Sequence, residues 1–275
     1  LLFLTMDYVD AINVQRSGFS FDAVRRNEML LQNGLKPFKA MKTGTTICGV
    51  VCKDAVVLAA DTRATEGPIV ADKEADKIHY LADNIFCAGA GTSADLTHVT
   101  EMMASQLELH RLYVDRQPRV TTAVAMLTQM LFRYQGHIGT ALVLGGHDVK
   151  GPHLFMIHPH GSSDRLPFAT MGSGSLAAMA VLEAGYKDDM TAEEGQKLVA
   201  DAIRSGIDND LGSGGNIDTC IIKKEGVTHT VGFERGNERK FRMPMKVEFP
   251  KGTTPTLEEH VREMRAKITI EDGDV

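Results

Sequence analysis

The sequence predicts an α/β fold in which two β-sheets pack face to face and helices cover their outer faces. Strand-like runs come in two blocks, each followed by a pair of helix-like segments, whereas a doubly wound parallel sheet would alternate single strands with single helices. The 275 residues, 43% of them hydrophobic, can bury one large core. The β-branched and apolar texture begins at Thr45, so we expect one domain preceded by a polar appendage.

The first block contains three predicted strands and two predicted helices. Residues 45–52 and 55–61 are β-branched and apolar and flank a short turn, which indicates a hairpin, and residues 85–90 form a third strand. Thr92 or Ser93 can cap the first helix, and the second runs from about residue 121 to 134. The apolar face of the first helix repeats at helical spacing through Leu96, Val99, Met103 and Leu107.

The second block repeats this order. Strands are predicted at 141–144, 153–157 and 168–171, followed by a helix at about 175–184. Thr191 and Glu194 have the spacing of a capping box that opens another helix. Two closing strands, 217–222 and 227–231, precede a charged tail. The inner stripe of the last helix consists of Leu198, Val199, Ala202, Ile203 and Ile207.

Charge and hydropathy exclude several classes of protein. Thirty basic and thirty-six acidic residues give a net charge of -6, so we expect no broad cationic face for nucleic acid or anionic membranes. No apolar run approaches the ~20 residues of a membrane-spanning helix, which predicts a soluble chain. The apolar opening is followed at once by Asp7 and Asp10, which does not favour a signal peptide, and the missing initiator methionine suggests a trimmed start.

The cysteines and histidines do not indicate a metal site. Cys48, Cys52, Cys87 and Cys220 lie mostly in strand-like runs, as reduced buried thiols do, and this usage favours a cytosolic or nuclear address. Cys48 and Cys52 lack a second pair of ligands at zinc spacing. His158 and His160 flank a proline and are better explained as a strand end.

The segment 172–177 reads Gly-Ser-Gly-Ser-Leu-Ala and matches the G-x-G-x-x-A form of a dinucleotide fingerprint. That motif requires a further strand that ends in an acid about twenty residues later. Residues 187–196 carry a helix-start signature instead. Nucleotide binding is therefore the weaker hypothesis for this segment.

The strand that begins after Gly44 offers a nucleophile. Cleavage between Gly44 and Thr45 would leave a threonine with a hydroxyl and a free α-amine, whose pKa of about 7.7 to 8.0 suits a base near neutral pH. Asp61 ends an apolar strand and needs a cationic partner, for which Lys77 is the candidate. The glycine-rich segment 88–92 could present backbone N–H groups to a developing oxyanion. A plain strand start, a surface ion pair and a plain helix entry are the simpler explanations of these features.

Taken together, these residues resemble the proteasome β subunits over nearly the whole chain. The motifs are Gly-Thr-Thr at 44–46, Ala-Ala-Asp-Thr-Arg at 59–63, Gly-Pro-Ile-Val-Ala-Asp-Lys at 67–73, Cys-Ala-Gly-Ala-Gly-Thr at 87–92, Gly-Ser-Gly-Ser at 172–175 and Asp-Leu-Gly-Ser-Gly at 210–214. The segments 18–22, 134–139 and 160–162 resemble the trypsin-like catalytic members of that family.

The resemblance implies the four-layer αββα sandwich of N-terminal nucleophile hydrolases and a threonine endopeptidase that needs no metal or cofactor. Thr45 would attack the peptide carbonyl, Asp61 and Lys77 would activate it, and the Gly91 N–H would face the oxyanion. The resemblance assigns supporting roles near the amine of Thr45 to Ser173, Asp210 and Ser213.

The same resemblance addresses specificity. Gly89 matches the small residue that opens the primary pocket of trypsin-like members, and Thr65 and Glu66 match substrate-binding positions. The family's acid on the helix after Gly91 falls on Thr97 here. We therefore expect cleavage after Arg or Lys, with the acidity supplied by Glu66 or by a neighbouring subunit.

The expected organisation has three parts: residues 1–44 as a propeptide removed by self-cleavage between Gly44 and Thr45, 45–234 as the hydrolase domain, and 235–275 as an extension that wraps a neighbouring subunit. Phe249, Pro250 and Leu257 are candidate anchors of that extension.

The partners that the resemblance implies are other β subunits in a heptameric ring, α-ring subunits of the core particle, regulatory particles bound through the α rings, and unfolded, typically ubiquitin-targeted, substrates. No nucleic acid or membrane partner is expected. Two alternatives remain: a structural ring subunit whose active site is unused, and a small-molecule amidohydrolase with an N-terminal nucleophile.

Overall fold

A computed structural model describes residues 22–35, 43–236 and 258–264. The chain divides into two units, residues 1–238 and 239–275. In the second unit, residues 258–264 are exposed and have no regular secondary structure, and the candidate anchors Phe249, Pro250 and Leu257 lie outside the described residues. Among the helices in the described ranges, none is long and apolar enough to cross a membrane.

The first unit contains the regular elements in an order close to the predicted one. In chain order these are α1 (Asp22–Gln32), β1 (Thr46–Val51), β2 (Ala55–Asp61), β3 (Ala64–Glu66), β4 (Ile69–Asp72), β5 (Ile78–Ala82), β6 (Ile85–Gly91), α2 (Ser93–Val114), α3 (Val120–Arg133), β7 (Thr140–Asp148), β8 (Gly151–Ile157), β9 (Ser163–Arg165), β10 (Phe168–Gly172), α4 (Ser175–Gly185), α5 (Ala192–Asn209), β11 (Asn216–Lys223) and β12 (Gly226–Arg235).

Two five-stranded antiparallel sheets form the middle of the unit. The first sheet has the strand order β10-β1-β2-β11-β12, the second has the order β5-β6-β7-β8-β9, and β3 pairs with β4 in a separate ribbon. Every side chain of β2 is buried, because this strand is central in its sheet and is covered on both faces.

Three apolar clusters hold four layers together. One lies between the two sheets and includes Ile47, Leu58, Val143 and Leu154. A second packs α4 and α5 on the outer face of the first sheet, and a third packs α2 and α3 on the outer face of the second sheet. The predicted αββα sandwich is thus confirmed, as are the buried stripe of α2 and the Thr191–Glu194 capping box of α5.

The structure also contains elements that the sequence analysis missed. Strands β3, β4, β5 and β9 are short or exposed, so they carry little apolar alternation. Helix α1 lies in the segment that was predicted only to be a polar appendage. Its described side chains, from Arg25 onward, are exposed or half-buried, so its helix-forming residues produce no buried stripe to detect.

Candidate active site

The site lies where three strands of the first sheet have their ends side by side. Strand β1 begins at Thr46, which pairs with Gly172 at the end of β10, and Ile47 pairs with Ala60 near the end of β2. Antiparallel pairing therefore places the start of β1 next to Asp61 and next to the turn that leads into α4. A Cβ at Gly172 would collide with the carbonyl group of Thr45, so that close approach requires glycine.

Thr45, Lys77 and Asp61 meet at this edge. The Lys77 ammonium lies 3.1 Å from the Thr45 hydroxyl oxygen and 2.7 Å from Oδ1 of Asp61. All three residues are buried, and Asp61 is fully so. The arrangement brings together a hydroxyl nucleophile, a candidate base and the carboxylate that orients the base, which is the geometry of an activated nucleophile.

The buried carboxylate of Asp61 is saturated with donors. Besides Lys77, it accepts hydrogen bonds from the backbone N–H groups of Thr46 at 2.9 Å, Gly214 at 3.1 Å and Arg63 at 3.3 Å. These bonds fix the orientation of the carboxylate and offset the cost of burying its charge.

Burial lowers the pKa of Lys77, against the raising influence of Asp61. Removal from water disfavours the charged ammonium, so its proton is lost at a lower pH than that of an ordinary lysine. A lysine with a depressed pKa and a hydroxyl oxygen within 3.1 Å can accept a proton from that hydroxyl.

A second polar network surrounds the backbone nitrogen of Thr45. That N–H donates to the Ser173 hydroxyl at 3.1 Å, and Ser173 donates to Oδ2 of Asp210 at 2.6 Å. Ser213 donates to the same oxygen at 2.7 Å and lies 2.7 Å from the hydroxyl of Thr46. Burial tends to raise the pKa of Asp210, but the hydrogen bonds from the two serines prevail and lower it, so the carboxyl is ionised near neutral pH.

The residues before Thr45 are held by a separate set of contacts. The Gly44 N–H donates to the Thr65 hydroxyl at 2.9 Å, and the Thr43 hydroxyl donates to the carbonyl oxygen of Gly91 at 2.7 Å. The Thr45 hydroxyl donates to the Gly44 carbonyl oxygen at 2.6 Å, so it lies against the carbonyl that it would attack.

A pocket opens beside the nucleophile between the β4–β5 connection and the start of α2. Its wall includes Gly89, Gly91 and Thr97, as well as the residues Thr43, Gly44, Thr45, Arg63, Ala64, Ala75, Asp76, Lys77, His79, Ser93 and Leu96. A Cβ at Gly89 would fall 2.8 Å from the Leu96 side chain, so glycine lets Leu96 pack against this part of the wall.

The structure places the two other predicted substrate-binding residues differently. Glu66 is exposed at the end of β3 and does not line the pocket, and Thr65 contacts Gly44 instead. The acidic side chain on the wall is Asp76. Burial lowers the pKa of His79, which Asp76 and Glu101 would raise, so its imidazole is neutral at neutral pH.

Sequence reasoning missed three contributors to the site. Thr46 binds Asp61 through its N–H and Ser213 through its hydroxyl, and the Gly214 N–H contacts Asp61 from the loop before the neighbouring strand β11. Asp76, which directly precedes Lys77, lines the pocket. The backbone donors leave no signal in a sequence, whereas Thr46 and Asp76 adjoin residues that had been singled out.

No metal centre emerges from the part of the chain that the structure describes, where no group of three His, Cys, Asp or Glu side chains could hold an ion. The four cysteines are unpaired and buried, as predicted. Burial raises the pKa of Cys52 to about 11, so its thiol is protonated near neutral pH and is not a nucleophile there.

Comparison with known proteins gives one consistent family. Residues 41–222 match the family model described as proteasome subunit. The chain is 58% identical over 260 residues to proteasome subunit beta type-7 of Dictyostelium discoideum, covering 94% of this chain and 97% of the relative. It is 56% identical over 250 residues to proteasome subunit beta type-7-B of Arabidopsis thaliana, covering 88% and 91%. It is also 52% identical over 260 residues to the probable proteasome subunit beta type-2 of Schizosaccharomyces pombe, covering 94% and 96%.

Proposed function

The chain belongs to the proteasome family, as a β subunit of the 20S core, and from that premise we propose that it is an active threonine endopeptidase with a preference for basic residues. The main observation in support is that the Lys77 ammonium lies 3.1 Å from the Thr45 hydroxyl and also donates a hydrogen bond of 2.7 Å to Asp61. A buried salt bridge that served only stability would not need to touch a hydroxyl at the end of a strand.

The first reaction is cleavage of the chain's own Gly44–Thr45 bond. Neutral Lys77 takes the hydroxyl proton of Thr45 while the oxygen attacks the Gly44 carbonyl carbon. The C–N bond then breaks, the proton passes to the departing nitrogen, and residues 1–44 are left as an ester on Thr45. Water hydrolyses the ester, which frees the hydroxyl and leaves a carboxylate on Gly44. The α-amine forms only in this step, so Lys77 is the base available beforehand.

The mature enzyme repeats this chemistry on a substrate peptide. The Thr45 hydroxyl attacks the substrate carbonyl and forms an acyl-enzyme, and water releases the second product. The free amine of Thr45 remains beside Ser173 and Asp210, whose hydrogen bonds orient it. The Gly91 N–H is our candidate for the oxyanion donor, and such a donor contributes about 10²- to 10³-fold in rate. The reaction uses no metal or cofactor.

The test is to follow the mass and N-terminus of this chain in assembled particles whose other active subunits have been inactivated. Wild-type chain should begin at Thr45, and Thr45→Ala should retain residues 1–44. Thr45→Ser, which keeps a hydroxyl, is the matched control and should mature. Retention of the prosegment, residues 1–44, in wild-type particles would instead assign the chain to the catalytically silent structural subunits.

Preference for basic residues is the second part of the proposal. Asp76 is the acid among the lining residues, beside the cations Arg63 and Lys77, and the His79 imidazole is neutral near neutral pH, so the Asp76 carboxylate is our candidate for the group that receives a cationic side chain. Peptide reporters with Arg, Leu or Glu before the cleaved bond should be turned over in that order. Asp76→Asn should reduce turnover of the Arg reporter and leave the Leu reporter unchanged, and equal loss of both would reject this role for Asp76.

We further propose that the chain works in the cytoplasm and nucleus, in a heptameric β ring that contacts an α ring, on unfolded polypeptides marked for ubiquitin-dependent degradation. The family membership and the buried reduced cysteines support this setting. Deleting residues 240–275, which we expect to wrap a neighbouring subunit, should impair ring assembly more than folding of residues 45–234, as measured by native mass of the particles.

A further inference from the structure

Gly44 and Gly212 approach each other through their backbones. An ideal Cβ built on Gly44 would fall on the Gly212 backbone, 2.5 Å from its carbonyl carbon and 2.5 Å from its carbonyl oxygen. In the reverse direction, a Cβ on Gly212 would lie 2.6 Å from the Cα of Gly44. Neither distance is compatible with a real side-chain carbon, so each position requires glycine because of the other.

The requirement is steric and does not come from backbone conformation. Neither Gly44 nor Gly212 is among the described glycines with positive φ, unlike nearby Gly215 at +78°. Alanine could therefore adopt the backbone conformation of either position without strain. Apart from Gly44, the nearest atoms to a Cβ on Gly212 are Ser173 Oγ at 3.3 Å and Asp210 Oδ1 at 3.4 Å, distances that need an adjustment of only a few tenths of an ångström.

The loop that carries Gly212 is fixed on both sides of it. Asp210 accepts hydrogen bonds from Ser173 and Ser213, and the Gly214 N–H donates to the fully buried Asp61 at 3.1 Å. A methyl group on Gly212 would therefore displace Gly44 more readily than it would displace the loop. Displacement of Gly44 moves the carbonyl group that the Thr45 hydroxyl contacts at 2.6 Å.

We propose that Gly212 is a positioning residue for removal of the prosegment, and that the mature enzyme does not need a glycine there. Its bare backbone supports Gly44 so that the scissile carbonyl stays in place beside Thr45, and this contact disappears when Gly44 leaves. The inference rests on the self-cleavage proposed above and extends it to a residue outside the nucleophile and its charged pair.

The experiment compares two forms of each chain in assembled particles. In one form the chain carries residues 1–44. In the other, Thr45 is exposed directly by a fused ubiquitin that cellular proteases remove. Gly212→Ala should slow conversion of the full-length form about tenfold or more, because a shift of about 1 Å in reacting atoms can cost 10²-fold in rate. The form that begins at Thr45 should keep most of the peptide hydrolysis of wild type started in the same way.

Two further variants sharpen the result. Leu211→Ala, in the same loop and 95% exposed, is the matched control and should mature at the wild-type rate. Gly44→Ala places the methyl group on the other side of the contact and yields a mature chain of wild-type sequence. It therefore tests the contact even where Gly212→Ala fails to assemble, and it should also delay maturation.

Each outcome decides the proposal. Maturation of Gly212→Ala or of Gly44→Ala at the wild-type rate overturns the proposal. The proposal is also overturned if Gly212→Ala loses as much peptide hydrolysis when it is expressed with Thr45 directly exposed as when it is expressed with residues 1–44. If the proposed function itself is wrong, the wild-type full-length chain will also keep residues 1–44, which distinguishes that failure from a failure of the role of Gly212. The role of Gly212 is supported if Gly212→Ala loses residues 1–44 slowly, Leu211→Ala loses them at the wild-type rate, and Gly212→Ala expressed with Thr45 directly exposed hydrolyses peptides.

Discussion

The part of the chain that the structure describes contains two buried acid–base pairs with different surroundings. At the end of β2, Asp61 binds Lys77 at 2.7 Å, and their side chains are 0% and 9% exposed. At the end of β7, Asp148 lies 3.2 Å from His153, and these side chains are 5% and 6% exposed. The two pairs are therefore alike in burial and in the contact between acid and base, so neither property shows which pair belongs to an active site.

The neighbours separate the two pairs. Lys77 contacts the Thr45 hydroxyl and lines a pocket, whereas Asp148 accepts the Val120 N–H at the start of α3 and the Lys150 N–H in the following turn. We propose that the first pair transfers protons, whereas the second connects a helix end to a strand. A buried pair indicates catalysis only where it meets a nucleophile and an open pocket.

Removing the base from each pair should give the largest difference in peptide hydrolysis between the two sites. Lys77→Ala should reduce peptide hydrolysis by about 10²- to 10⁴-fold, the usual contribution of a positioned base, and should also prevent loss of the prosegment. His153→Ala should leave hydrolysis by assembled particles unchanged. Steady-state turnover of an Arg reporter, with other active subunits inactivated, measures both. Comparable activity losses in the two variants would contradict the distinction between the pairs.

The pH dependence of self-cleavage should identify Lys77 as the base. The precursor has no free amine at Thr45, so cleavage should become faster as pH rises through the pKa of Lys77, and the midpoint should lie below the ~10.4 of an ordinary lysine. Particles that have been assembled at low pH and then transferred to a series of higher pH values would supply the rates from intact mass. A rate independent of pH would exclude a titrating lysine as the base.

The comparison also explains what the sequence could predict. Asp61 and Lys77 were identifiable because an acid that ends a fully apolar strand needs a partner and Thr45 offered a nucleophile. The layers were predictable because the central strands of both sheets and helices α2 to α5 carry continuous apolar runs or stripes, whereas the edge strands β5 and β9 do not. These signals arise from burial, which a single sequence records directly.

The rest depends on contacts between distant parts of the chain. Donation from the Gly214 N–H to Asp61 and the approach of Gly212 to Gly44 involve backbone atoms, which every residue type carries. The pairing of Asp148 with His153 gave no sequence signal, because neither the strand pattern nor the spacing specifies which way a side chain turns at a strand end. The acidity of the pocket was expected from Glu66 or from a neighbouring subunit, whereas within this chain Asp76 lines the pocket and Glu66 does not.

Neutralising the acid of the second pair should affect stability and not activity. Asp148→Asn should lower the free energy of unfolding by about 1 to 3 kcal/mol near neutral pH, because the partly buried Val120 N–H loses a charged acceptor. Burial tends to raise the pKa of Asp148, but the Lys150 and Val120 N–H groups lower it overall. Its stabilisation is therefore present above the ordinary Asp pKa of ~3.9 and is lost as pH falls through the lower folded value.

Urea unfolding of the purified chain at a series of pH values measures this effect. The difference between wild type and Asp148→Asn should be constant from about pH 6 to 8 and should shrink as the pH falls below about 4. A difference that grew with acid would mean that the carboxyl group is stabilising in its protonated form. Peptide hydrolysis by assembled Asp148→Asn particles should equal that of wild type.

The smallest expected effect on stability concerns the start of α5. There a local cap accepts a hydrogen bond from a backbone N–H of the first turn, as Asp148 does at the start of α3. Arg119 precedes α3 and makes no side-chain cap, so a carboxylate from a distant strand end supplies the acceptor. At α5, Thr191 accepts the Glu194 N–H at 3.2 Å, and the Glu194 carboxylate accepts the Thr191 N–H at 2.9 Å.

Because the α5 cap is exposed, water can replace part of what Thr191→Ala removes, and the loss should be about 1 kcal/mol. It should also be less than the loss in Asp148→Asn, where the partly buried Val120 N–H loses its charged acceptor. Urea unfolding of the two variants under the same conditions tests the order. A larger loss in Thr191→Ala would mean that the second acid–base pair contributes less to stability than an ordinary helix cap, and its burial would then have no energetic explanation.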